Sequence, residues 1–131
     1  MNGQILRSLK ETISFEHPTY IGGGTDIMPL LKNGVRDDCE LVFLKKIPEL
    51  RELTDAGSYL VIGSSMTLTE LAENKLVNER CTVVAQAASL TASPQIRNIA
   101  TIGGNIMQDR RCIYFNQTHL WRSGLAYCFK T

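Results

Sequence analysis

The sequence predicts an α+β fold, and three observations point to it. Short apolar runs are bounded by turn residues, the segments between them carry the three-to-four-residue apolar spacing of helices, and Thr67 with Glu70 makes a Thr-x-x-Glu helix start. Taken in order, Leu6, Leu9 and Ile13 share one helical face, so a first helix is expected to stop near Ser14, before the turn-forming His17-Pro18. Tyr20 and Ile21 form a brief strand that runs into Gly22-Gly23-Gly24. Thr25 or Asp26 is then placed to cap a second helix, which carries Ile27, Leu30 and Leu31 and ends at Asn33-Gly34.

Residues 40–44 form a buried strand and residues 48–50 a single turn, while residues 53–55 and 59–62 pair as strands across Ala56-Gly57-Ser58. The capping box opens another helix before Leu71. An Ala-rich helix follows over residues 80–90, with Val83, Val84, Ala87, Ala88 and Leu90 as its expected buried face. Next comes a second glycine turn, Thr101-Ile102-Gly103-Gly104-Asn105, flanked by apolar residues. Residues 107–131 show no sustained period, and one turn of helix is expected near Trp121. The chain has no internal repeat, low-complexity tract or interdomain linker.

Composition narrows the function classes. With 131 residues, 44% hydrophobic and 21% charged, the chain has the balance of one globular domain. Fourteen Lys and Arg oppose thirteen Asp and Glu and are scattered along the length, which argues against nucleic acid as a partner. The longest apolar runs fall well short of the roughly 20 residues of a membrane span, and residues 1–10 lack the pattern of an export signal, so a cytoplasmic protein is expected. In that setting Cys39, Cys81, Cys112 and Cys128 are expected as reduced thiols or metal ligands, with Cys39 and Cys81 as small apolar fillers. His17 and His119 lack a zinc-like spacing.

The two glycine turns carry the chemistry. Three successive glycines after a strand let a ligand approach the main chain closely, and consecutive N–H groups there can converge on one anion. A helix opening at Thr25 and Asp26 adds to that concavity, so residues 22–26 are a candidate phosphate cradle. By itself a Gly-Gly-Gly turn is as often a tight connection. The spacing is neither the six-position dinucleotide fingerprint nor a triphosphate loop, which needs Gly-Lys-Ser or Gly-Lys-Thr. Two glycine-rich loops about 80 residues apart can, however, converge on one extended cofactor.

Residues 20–32, Tyr-Ile-Gly-Gly-Gly-Thr-Asp-Ile-Met-Pro-Leu-Leu-Lys, taken with residues 95–106, resemble the paired FAD-binding signature of the xanthine dehydrogenase and carbon monoxide dehydrogenase flavoprotein family. Ile47-Pro48-Glu49-Leu50, Ile62-Gly63-Ser64 and Ser93-Pro94-Gln95-Ile96-Arg97-Asn98 fall between the motifs where that family has them. The resemblance implies an incomplete copy of the two-subdomain α+β FAD-binding fold of the PCMH type, truncated at both ends. Residues 1–56 would form the N-terminal subdomain and residues 57–131 part of the second. It implies FAD held by Gly22, Gly23, Gly24, Thr25 and Asp26 on one side and by Thr101, Gly103, Gly104 and Asn105 on the other, with Thr25 and Thr101 offering hydroxyls. No residue is assigned a catalytic role.

The segment Gln108-Asp109-Arg110-Arg111-Cys112-Ile113-Tyr114-Phe115-Asn116-Gln117, with Trp121-Arg122 and Tyr127-Cys128-Phe129-Lys130, is similar to an insertion of the 4-hydroxybenzoyl-CoA reductase flavoprotein subunit. The likeness implies that Cys112 and Cys128 match two of the four ligands of a [4Fe-4S] cluster in a full-length subunit. Two thiolates are half of the usual set, so in this chain they are expected to be unoccupied. The implied function is that of an FAD-dependent electron-transfer subunit of an oxidoreductase, working beside a molybdopterin-binding subunit and a [2Fe-2S] subunit. The alternatives are a folded, non-catalytic fragment or assembly module that keeps the contact surface without FAD, and an unrelated phosphate-binding domain.

Overall fold

The computed structural model describes residues 2–37, 40–109, 117 and 119–124. Its order begins with β1 (Asn2–Ile5), a 3-10 helix at Leu9–Ser14, β2 (Thr19–Ile21), α1 (Ile27–Lys32) and β3 (Glu40–Phe43). A 3-10 turn at Pro48–Arg51 leads to the hairpin of β4 (Leu53–Asp55) and β5 (Leu60–Ile62). Among the described residues six helical segments follow, where the sequence suggested three: α2 (Leu68–Glu73), α3 (Lys75–Arg80), α4 (Thr82–Leu90), α5 (Pro94–Arg97), α6 (Ile102–Ile106) and α7 (His119–Ser123).

The first three strands form a parallel sheet in the order β1-β3-β2, with Asn2 opposite Glu40 and Thr19 opposite Leu41. β3 is central and buries Leu41 and Val42. Leu6, Val42 and Ile47 pack on one side, Ile21, Leu31 and Leu41 on the other. β4 and β5 pair antiparallel, and residue 56, the expected end of the first subdomain, lies in their turn, where Ala56 N–H donates to Tyr59 O at 3.0 Å.

The largest core belongs to the helices, where Met66, Leu68, Leu71, Val77, Ala85, Ala88 and Ala100 are buried together. α2 packs closely on α4, and small residues on α4 permit that approach. The face expected to be buried on α4 is therefore corrected: Ala85 and Ala88 face in with Val84 and Cys81 beside them, while Val83 (78% exposed) and Leu90 (83%) face out. Cys81 is a free, half-buried thiol packed against this core, as an apolar filler should be. Cys39 lies outside the described residues.

The first element also differs from expectation. Residues 2–5 form a strand on the sheet edge, and Leu6 follows that strand, 3% exposed, instead of opening a helix. Only residues 9–14 are helical, as a 3-10 segment capped by Ser8, whose side chain accepts from Lys10 N–H. The capping box is present as predicted: Thr67 accepts from Glu70 N–H and Glu70 reaches back to Thr67 N–H at 2.7 Å. One helical turn does surround Trp121. Among the described residues no helix is long and apolar enough to cross a membrane.

Candidate functional site

The first glycine turn begins at the carboxyl end of β2, the side of a parallel sheet where connecting loops make binding crevices. Gly24 has φ +73°, a left-handed conformation that glycine adopts without strain. Its carbonyl accepts from Met28 N–H at 3.1 Å and so starts α1. Asp26 stands at the N-cap of α1 but makes no side-chain cap bond, and Thr25 bonds to nothing among the described residues. Neither performs the capping expected of it.

The decisive feature is what the turn leaves unpaired. Among the described residues, the N–H groups of Gly22, Gly23, Gly24 and Thr25 donate no hydrogen bond. These residues are half-buried, and main-chain donors without a protein partner are completed by water or a ligand, so a run of four on the wall of a cleft marks a place where an anion can be held.

The second glycine turn is built differently. Residues 102–106 are helical, and Thr101, 1% exposed, is the N-cap of this short α6, its hydroxyl accepting from Gly104 N–H at 3.2 Å. The other amides are spent as well: Ile102 N–H donates to Met66 O at 2.9 Å, Gly103 N–H to Ser64 O at 2.9 Å and Asn105 N–H to Thr101 O at 2.9 Å. The expected glycine turn is therefore a helix start whose donors are satisfied internally. Gly103 packs against Ser64, with room for no Cβ there.

α2 holds this segment in place. Thr67 and Thr101 form an isolated antiparallel bridge, and Leu68 N–H donates to Ala100 O at 3.0 Å. Burial alone raises the Glu70 carboxyl, but the Thr67 N–H, the Thr67 hydroxyl and the Arg51 guanidinium outweigh it and hold the group below its ordinary value. Arg51 also hydrogen-bonds Glu70 directly.

The two segments meet along one seam. A Cβ at Gly22 would lie 2.2 Å from Thr101 Oγ1, and one at Gly23 only 2.1 Å from Ile99 O. Glycine is required at both positions because the turn lies against the Thr101 side chain at Gly22 and against the main chain of residues 99–100 at Gly23. The cleft beside the seam has a volume of about 630 Å³. Gly22, Gly23, Gly24, Thr25, Asp26, Thr101, Gly104 and Asn105 all line it; Gly103 does not.

Sequence reasoning missed other walls. Thr91 and Ala92 line the cleft, and Ala92 has φ +51°, unusual for a residue with a side chain. Arg97 secures them, its Nη1 donating to Thr91 O at 3.1 Å and Ala92 O at 2.9 Å. Gln108 also lines the cleft and donates to Asp26 Oδ1 at 2.9 Å. No periodicity announces these contacts, because they arise from where loops are brought together. Cys112 and Cys128 lie outside the described residues, and among those described no cluster of His, Cys, Asp or Glu is grouped to hold a metal.

A family model described as the FAD binding domain in molybdopterin dehydrogenase matches residues 4–113. The carbon monoxide dehydrogenase medium chain of Hydrogenophaga pseudoflava is 37% identical over 86 residues, 66% of this chain and 30% of that protein. The aldehyde oxidoreductase FAD-binding subunit of Escherichia coli K12 is 36% identical over 101 residues, 76% of this chain and 31% of that protein. The xanthine dehydrogenase FAD-binding subunit of Escherichia coli O157:H7 is 41% identical over 88 residues, 66% of this chain and 30% of its own length.

Among solved structures, carbon monoxide dehydrogenase from Hydrogenophaga pseudoflava superposes with a TM-score of 0.75 at 31% identity, covering 79% of this chain and 38% of that one. The chain thus spans about 30% of the length of the relatives it matches. The α+β architecture expected from the two motifs is the one these relatives share.

Proposed function

Because this chain belongs to the family of FAD-binding domains of molybdopterin dehydrogenases, we propose that its cleft holds the FAD diphosphate on the N–H groups of residues 22–25. Asp26, Thr101, Gly104 and Asn105 would line the rest of the nucleotide's path, with Gly103 supporting the wall from behind. The observation that carries this reading is the run of four consecutive main-chain donors without a partner among the described residues. Such a nest gives an anion several hydrogen bonds without a lysine or arginine, and it does so at fixed positions.

The residues fit the group in a second respect. The turn packs on the buried Thr101 side chain at Gly22 and on the main chain of residues 99–100 at Gly23, which holds both walls in place, so little ordering is left to be lost on binding. When bound, flavin exchanges electrons singly or in pairs, and the protein supplies its position and electrostatic surroundings. The chain's own work is to bind and orient the nucleotide. It would serve as the flavin part of an oxidoreductase in the cytoplasm, relaying electrons between iron-sulfur centres and an external carrier beside a molybdopterin-binding subunit and a [2Fe-2S] subunit.

The 4-hydroxybenzoyl-CoA reductase branch is the narrower proposal, and it rests on the sequence around Cys112 and Cys128. Purified protein tests both levels. Yellow protein that releases one FAD per chain on denaturation supports the flavin reading, whereas folded, colourless protein that takes up no added FAD contradicts it. Iron retained under anaerobic purification would support the narrower branch, and iron-free protein would count against an assembled cluster in this chain.

A further inference from the structure

The hydrogen bond that spans the two motifs uses none of their glycines. Gln108 Nε2 donates to Asp26 Oδ1 at 2.9 Å, between residues 82 positions apart and both half-buried. Local chemistry explains why the carboxylate does not cap the helix. An aspartate at a helix N-cap ordinarily accepts from the N–H of the second or third helical residue. In α1 the third is Pro29, which has no N–H, and the second, Met28, already donates to Gly24 O at 3.1 Å. On the opposite wall, Met107 N–H donates to Gly103 O at 3.0 Å and Gln108 N–H to Asn105 O at 3.4 Å, which fixes where the Gln108 side chain starts.

We propose that Asp26 and Gln108 form a clasp that sets the spacing of the cleft walls, with Gln108 a positioning residue for the dinucleotide diphosphate. The proposal rests on the flavin reading of the cleft. It follows from two facts on either side of the same bond: the helix cannot use the Asp26 carboxylate at Pro29, and Gln108 supplies a neutral donor that adds no charge. A carboxylate engaged by Gln108 is also one not folded over the neighbouring N–H groups of residues 22–25, where it would compete with the diphosphate as an internal anion.

Four variants of the full chain test the clasp: Gln108→Leu, Gln108→Glu, Asp26→Asn, and the double exchange of Asp26→Asn with Gln108→Glu. Gln108→Leu removes the donor without adding charge, and Gln108→Glu sets two carboxylates face to face. Asp26→Asn keeps an acceptor for Gln108. The double exchange rebuilds the bond with donor and acceptor reversed, so it measures coupling and not the sum of two losses.

FAD titration is expected to give a Kd about tenfold higher for Gln108→Leu and Gln108→Glu, and within about threefold of the parent for Asp26→Asn and the double exchange. Hydrogen exchange of the flavin-free proteins provides the readout that is independent of ligand charge. Residues 22–27 should exchange faster in both Gln108 single variants and recover in the double exchange. A double exchange as open and as weak as Gln108→Glu, or a Gln108→Leu protein unchanged in both measurements, would overturn the clasp. Parent protein that binds no FAD while its exchange still follows the swap would remove the flavin reading and support the clasp.

Discussion

A methyl group added at Gly23 has no space to enter. Its Cβ would lie 2.1 Å from Ile99 O, 2.7 Å from Ile99 C and 2.9 Å from Ala100 Cα, all of them main-chain atoms that cannot rotate aside. Since carbon and its neighbours settle near roughly 3.5 Å, the turn and residues 99–100 must part by about 1 Å. Gly23 does not have a positive φ, so the cost is steric and not conformational. Overpacking of this kind costs about 1–3 kcal/mol. For a domain of this size that lowers Tm by roughly 3–6 °C for each kcal/mol. The cradle is attached to the displaced turn, so FAD affinity should fall by at least about tenfold.

Gly3→Ala is the matched comparison. There a Cβ would meet only Phe43 Cε2 at 3.4 Å, an ordinary contact, and the loss of unfolded-state freedom should leave stability unchanged or raise it by about 0.4–1 kcal/mol. Thermal melts and flavin titrations of both variants check the pair. Gly23→Ala protein that melts and binds like the parent would refute the main-chain seam.

Three further outcomes are expected. Thr101→Val keeps the shape but removes the acceptor for Gly104 N–H, and denaturant unfolding should show a loss of about 1 kcal/mol. Ala92→Asn should melt at or above the parent temperature because Asn tolerates the left-handed region, whereas Ala92→Val should lose about 1 kcal/mol or more. The Glu70 carboxyl is held below its ordinary value in the folded chain, so its contribution is present at neutral pH and fades as pH falls from about 4.5 through the lowered folded value. Unfolding measured across that range should have a shallower acid slope in Glu70→Gln, and parallel slopes would exclude the effect.

Much of this architecture is legible in the residues where local chemistry decides the matter. Thr67 and Glu70 specify a helix start by themselves, and Gly22-Gly23-Gly24 after Tyr20-Ile21 specifies a turn on a strand end. Periodicity misleads where a segment is apolar on several faces. Residues 83–88 are nearly all apolar, so only the close approach of α2 tells that Ala85 faces in and Val83 out. Leu6, Leu9 and Ile13 imitate a helix although residues 2–5 pair with β3, because the pairing partner lies about 40 residues away. The site divides the same way: the amides of the first turn that donate to no described residue lie on its glycines and Thr25, whereas Gln108 and Ala92 enter only through the meeting of distant loops.

The central claim concerns four amides, and amide resonances report on them directly. In a titration of isotope-labelled protein with FAD, the N–H signals of Gly22, Gly23, Gly24 and Thr25 should move furthest and saturate at one FAD per chain. Those of Ile102, Gly103 and Asn105, already bonded within the protein, should move less. Saturable FAD binding that leaves the first four signals in place would contradict the account.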